Sequence, residues 1–294
     1  MSTAVPAPIS ISDPTSTTTA TTTTTITCEP VSVFPKATTL YLDTGNVVNW
    51  DKLKRKTNLT PADELKICVG ESICRWLTET DREKAQTALV VNVIDEAANP
   101  VVDNRDTLKY TLKLFLYFPL SPAETKSAVE FVMTRLGLNY VETLVVAFPD
   151  SLEDALEGDD VLLVWSALEE LVDDGMILSL GVSDMNVEQL ESLWSYVRVK
   201  PSIDQISSTT CCAIPEDLKT FASGHDIQLL MHSDRKEILP AEDLRGVLTE
   251  TSHAKDGEGW NPQWVVRYSS LVKGRGVIKS KGYMLKAGRI IEFH

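Results

Sequence analysis

The sequence predicts an α/β protein, a (β/α)8 TIM barrel, and three observations carry that expectation. From Thr38 onward, short apolar runs rich in β-branched residues alternate with longer amphipathic segments, as βα units do. Helix start signals stand between the runs. Thr60-Pro61 with Asp63, Ser121-Pro122 with Glu124, Asn186 with Gln189, and Asn261-Pro262 each place a cap oxygen ahead of a helix. The folded part, about 257 of the 294 residues, matches the size of such a barrel, whose working face lies at the strand C-termini.

In order, the candidate strands are 38–43, 88–94, 109–117, 143–148, 177–182, 203–208, 227–231 and 276–279. Gly137 and Gly175 fall where a helix should stop before the next strand. An open doubly wound sheet is the alternative, but it would want a Gly-rich phosphate turn after its first strand, and none occurs. Residues 95–108, with Pro100 and a polar string from Asp103 to Asp106, leave no room for a full covering helix. An exposed flank is expected there.

Residues 1–37 read as a disordered low-complexity tail, because the threonine run from Thr15 to Thr27 cannot pack a core that would offset its ordering entropy. The barrel is expected over 38–294. No Lys or Arg precedes Lys36, so neither a charged secretory n-region nor an Arg-rich transit peptide is present, and no stretch approaches the roughly 20 apolar residues of a bilayer span. A net charge of −14 repels phosphate backbones and anionic lipid. Nucleic acid and membrane are therefore not expected partners. Five cysteines with no C-x-x-C or zinc spacing read as reduced thiols in the cytoplasm, with no metal site. Cys211 and Cys212 are neighbours whose Cα atoms stand about 3.8 Å apart, too close for an unstrained disulfide. They are either small buried hydrophobes or rim thiols that contact or bond a partner.

Charge is unevenly spread. Residues 150–174 carry ten acids and no Lys or Arg, whereas 264–289 carry seven Lys and Arg and no acid. Both are solvated faces by default. Lys279 and Ser280 close the last candidate strand, where barrels commonly bind phosphate, and an anion site is expected there.

The segment Gly175 to Leu190, GMILSLGVSDMNVEQL, resembles the fifth strand and following turn of aldo-keto reductases. Leu136–Val141, Gln205 and Gly276–Ser280 are similar to further motifs of that family. The resemblance implies its barrel and, for an active member, a tyrosine acid helped by Lys, His and Asp, with hydride from NADPH. Lys113 matches the catalytic lysine, but Ala147 stands at the histidine position and Pro100 at the tyrosine position, while Asp95 matches the aspartate. An Ala methyl and a Pro ring cannot deliver a proton, so carbonyl reduction is not expected. Ser183, Asp184, Gln205, Lys279 and Ser280 match NADP(H)-binding positions, which leaves residual nucleotide binding as an expectation although no cofactor is required. Asp184 replaces the family's Asn, an acceptor-only carboxylate in place of an amide.

A longer resemblance spans residues 38–289. Leu42–Trp50, Cys211–Leu218, Asp226–His232 and Arg275–Tyr283 are similar to the regulatory (modifier) subunits of glutamate–cysteine ligase. This implies a catalytically silent aldo-keto-reductase-like barrel that forms a heterodimer with the ligase catalytic subunit in glutathione biosynthesis, improving its use of glutamate and ATP and weakening feedback by glutathione. The alternatives are an NADPH-dependent reductase with an unconventional acid such as His232, or a redox scaffold that senses nucleotide.

Overall fold

The computed structural model describes residues 31–56, 58–94, 105–149, 160–208 and 214–290. Among them nine strands form one sheet in the order β2-β1-β9-β8-β3-β4-β5-β6-β7. They are β1 (Thr39–Asp43), β2 (Val90–Ile94), β3 (Leu108–Leu116), β4 (Thr143–Ala147), β5 (Leu180–Ser183), β6 (Ile203–Ser207), β7 (Gln228–His232), β8 (Trp260–Val272) and β9 (Val277–Arg289). The helices are α1 (Asp51–Lys54), α2 (Pro61–Glu79), α3 (Arg82–Thr87), α4 (Pro122–Leu136), α5 (Asp160–Asp173), α6 (Val187–Tyr196), α7 (Glu216–Gly224), α8 (Ala241–Thr251) and α9 (Ala254–Gly257).

Three of the expected helix starts hold for the local reason the sequence offers. The Thr60, Ser121 and Asn186 side chains accept from the amides of Asp63, Glu124 and Gln189, and Gln189 returns the bond to complete a capping box. Gly137 takes the left-handed conformation and ends α4 (φ +61°).

The α/β class holds, and β3 to β7 run parallel in sequential order, as in a barrel. Strand count and direction depart from eight parallel strands. The expected helix at Asn261-Pro262 is instead β8, and the expected last strand, 276–279, is the start of the long antiparallel partner β9. The reason is burial on both faces. Trp264, Val266 and Tyr268 enter one core and Val265 the other, a pattern a surface helix cannot satisfy. Pro262 is tolerated because it sits at a register shift in the β8–β9 ladder.

The β8–β9 hairpin reverses half the sheet. β1 is antiparallel to β9, β9 to β8, and β8 to β3, so β1 and β2 run opposite to β3–β7. The ion pair of Arg135, at the end of α4, with Asp43, at the end of β1, confirms the reversal (2.9 Å). Helices α4 to α7 cover one face through Val132, Trp165, Leu193 and Leu218, while α2 and α8 cover the other through Leu65, Ile73, Leu244 and Leu248.

The packed chain begins earlier than residue 38. Val33, Phe34 and Ala37 are buried in the second core, and Asp256 fastens them by accepting from the Val33 amide (2.8 Å), the Phe34 amide (3.2 Å) and the Ser32 hydroxyl. Ser252 also donates to Asp256 (2.5 Å). A buried carboxylate with four donors is stable only while those donors remain. Asp256→Ala is expected to cost about 3 kcal/mol. Thermal unfolding checks the loss, and limited proteolysis should show new cleavage near residues 31–37.

Candidate functional site

The expected site residues fall in two groups at opposite ends of the sheet. Lys113 of β3, Ala147 of β4, Ser183 of β5, Gln205 of β6 and His232 of β7 lie on or near the C-terminal ends of the parallel strands. Lys279 and Ser280 do not join them. Lys113 is level with Arg267 and Tyr283, and Ser280 pairs with Ser270 toward the N-terminal end of β3, while Ser183 lies toward the other end. Counted along the ladders, the two serines are about five residues apart, roughly 17 Å of strand. Lys279 is exposed in a bulge of β9, and the Ser280 hydroxyl is spent on Ser270 (2.6 Å). The cause is the hairpin, which turns a strand that the resemblance would end at the working rim toward the opposite rim. The structure therefore places Ser183, Asp184 and Gln205 together and Lys279 and Ser280 apart from them. Asp95, Pro100, Cys211 and Cys212 lie outside the described residues.

What the C-terminal ends hold is an ion network that sequence reasoning missed. Asp234, just after β7, receives Lys113 Nζ at 2.8 Å, Arg267 Nη1 at 2.5 Å and Arg267 Nη2 at 2.9 Å. Lys113 and Arg267 are directly opposed across β3 and β8, an arrangement of like charges that is unfavourable without a counter-ion. On a flat sheet Asp234 would lie four strands, about 19 Å, from Lys113. The contact therefore requires the sheet to curl. Residues 233–240 fold back across its concave face, burying Ile238 and Leu239, with the Leu239 amide donating to Tyr117 Oη (3.1 Å). Burial would raise the Asp234 carboxyl, but Arg267 and Lys113 outweigh it and hold it at about 2. Burial shifts the Lys113 ammonium down, against the pull of Asp234.

A second cluster adjoins it. The Asp234 amide donates to His232 Nδ1 (3.0 Å), which puts the ring proton on Nε2, where it meets Asp184 Oδ2 (3.0 Å). Asp184 also accepts from the Ser207 amide (2.7 Å) and the Ser183 hydroxyl (3.1 Å) and holds φ +60°. Burial pushes its carboxyl up, but the bonds from His232 and Ser207 together with the Lys113 charge leave it below its ordinary value. The spacing of Ser183, His232 and Asp234 resembles a nucleophile triad, with Ser183 Oγ 3.2 Å from Nε2 and Asp234 Oδ2 3.4 Å from Nδ1. The proton is on the wrong nitrogen for one. Nε2 donates, so it cannot take the Ser183 proton, which is itself directed at Asp184. His232 is thus a strand-end histidine satisfied by hydrogen bonds. At the level of Ser183 the β4 position is the Ala147 methyl, and the ammonium of Lys113 is engaged.

Asp204, the neighbour of Gln205, is fully buried, and burial together with the nearby Asp184 pushes its carboxyl up to about 8, an effect the Met185 amide only partly offsets. Among the described residues no group of His, Cys, Asp and Glu could hold a metal ion, and no helix is long and apolar enough to cross a membrane.

Comparison with known proteins assigns this framework. The model of the aldo/keto reductase family matches residues 88–234. A mouse protein named glutamate–cysteine ligase regulatory subunit is 35% identical over 265 residues, covering 88% of this chain and 96% of its own length. This chain belongs to that family of regulatory subunits. A fission-yeast protein named putative glutamate–cysteine ligase regulatory subunit is 28% identical, covering 84% of this chain and 96% of its own length. Among solved structures, a silkworm aldo-keto reductase aligns at 20% identity over 59% of this chain and 46% of its own, with a TM-score of 0.35. The family model spans β2 to the loop after β7 and ends before α8, α9 and the β8–β9 hairpin.

Two outcomes follow from the buried carboxyls. Asp234→Asn leaves Lys113 and Arg267 opposed without a counter-ion and is expected to cost about 3 to 5 kcal/mol at pH 7 by denaturant unfolding. For Asp204 the sign is opposite. Its folded pKa of about 8 lies above the unfolded 3.8, so the native state binds the extra proton, and stability falls as pH rises between those values. At pH 7 the cost is about 4 kcal/mol. Asp204→Asn is expected to raise the unfolding midpoint at pH 7.5, to leave it nearly unchanged at pH 4, and to flatten the decline between.

Proposed function

We propose that this chain is a non-catalytic subunit that binds the catalytic subunit of glutamate–cysteine ligase in the cytoplasm and raises its efficiency in glutathione synthesis. The observation that carries the reading is the match over nearly the whole length of proteins bearing that name. The site agrees with it in chemical terms. Reduction of a carbonyl needs an acid within reach of the developing alkoxide, and the matching β4 position offers a methyl. Lys113, which would support such an acid, is instead bound to Asp234, and His232 directs its proton at Asp184. No observation favours reductase or nucleotide-sensing activity over this reading.

A subunit that touches no substrate changes its partner's affinity by binding one conformation of it more tightly than another. The coupling is reciprocal: substrates that favour the competent conformation tighten the heterodimer, and glutathione that favours the other loosens it. Typical coupling of about 1 to 3 kcal/mol corresponds to roughly 5- to 150-fold changes in affinity.

Steady-state kinetics of the purified catalytic subunit, with and without this chain, test the proposal. A lower KM for glutamate or ATP and a higher inhibition constant for glutathione are expected, by at least about fivefold in one of them. Unchanged kinetics at saturating chain, or oxidation of NADPH by the chain alone with a panel of aldehydes, would overturn it.

A further inference from the structure

The basic stretch from residue 264 to 289 is neutralised almost everywhere except at the hairpin tip. Arg267 is held by Asp234, Lys273 by Glu142, Lys281 by Glu64 and Lys286 by Glu124, each acid coming from another element. Arg289 donates to the carbonyls of Phe34 and Lys255. Arg275 and Lys279 have no counter-ion among the described residues, in a chain whose net charge is −14.

The same tip is bare of packing. Residues 273–279 are all exposed, including two β-branched side chains, Val277 at 58% and Ile278 at 48%. On the side away from β8, pairing of β9 with the β1 segment ends where the Val47 amide donates to Lys281 O (2.8 Å). Val277 to Ser280, about 13 Å of strand, present an edge that no described strand covers. The turn is preformed. The amides of Arg275 and Gly276 both donate to Val272 O (3.2 and 3.1 Å), and Gly274 and Gly276 take positive φ, which fixes the direction of the two arms. Unpaired edges ordinarily invite aggregation and are blunted. Here Lys279, in the bulge, limits pairing to a partner that brings negative charge.

We propose that this tip docks an acidic, partly apolar segment of the ligase catalytic subunit, which adds to the open edge of β9 over Val277 and Ile278 and places carboxylates against Arg275 and Lys279. The partner's identity rests on the function proposed above; the surface and its chemistry rest on the hairpin. Two cations without counter-ions among the described residues, with two apolar side chains, suit a protein surface better than a polyanion, because nucleic acid or an anionic bilayer gains from many cations and would be repelled by the acidic remainder of the chain.

The test is calorimetric titration of the full chain into the purified catalytic subunit, with three variants: Arg275→Glu/Lys279→Glu, the milder Arg275→Gln/Lys279→Gln, and Val277→Asp. A charge-matched control, Lys84→Glu/Lys219→Glu, lies on exposed helical positions away from the hairpin. The charge reversal is expected to weaken association about tenfold or more, the neutral pair less, and Val277→Asp by a similar factor. The control should bind as the wild type does, and thermal unfolding of every variant should coincide with wild type because the altered side chains are exposed. Equal affinity of all hairpin variants, with the wild type binding, would overturn the docking surface and leave the proposed function standing. No association of the wild type would overturn both. Retained binding of single-stranded RNA or phosphatidylserine vesicles at physiological salt, lost in the charge reversal while subunit affinity is unchanged, would assign the tip to a polyanion instead.

Discussion

The carboxylate of Asp234 is the constraint on which the concave face depends. It neutralises two cations that the β3–β8 pairing forces together and, being attached to the segment after β7, converts that neutralisation into curvature of the sheet. A buried triad of this kind adds little net stability over apolar residues of the same volume. What it provides is closure, because the segment after β7 brings one carboxylate to both Lys113 and Arg267. The neighbouring His232 takes its tautomer from the Asp234 backbone, so the same loop also sets the hydrogen bonds of Asp184 and Ser183.

That network gives the C-terminal ends of the parallel strands a structural task. Lys113 is bound to Asp234 and holds strands together, and the Ala147 methyl packs in the core. The adjacent Asp204 shows the opposite economy, a buried carboxyl with too few donors, whose burial pushes it up to about 8.

The β8–β9 hairpin has the larger architectural effect. Inserted between β1 and β3, it sets β1 and β2 antiparallel to the other parallel strands and carries Lys279 and Ser280 away from the rim that holds Ser183 and Gln205. The two groups of residues are thereby set at different levels of the sheet. Among the described residues the hairpin has in exchange a free edge and two cations without counter-ions, features that suit contact with another polypeptide.

Features that depend on neighbours a few residues away could be read from the amino-acid order. The caps at Thr60, Ser121 and Asn186, the stop at Gly137 and the parallel run β3 to β7 were all legible, because capping bonds and alternation act within one turn or one strand. Residues 260–272 were not, since a run such as Trp264-Val265-Val266 has no period that distinguishes a helix from a strand buried on both faces until its neighbours are known. Nor was Asp234, whose partners lie 121 and 33 residues away. Which cations are neutralised emerged from the folded arrangement alone, because opposite charges choose partners by distance in space, and chain separation carries no information about that distance.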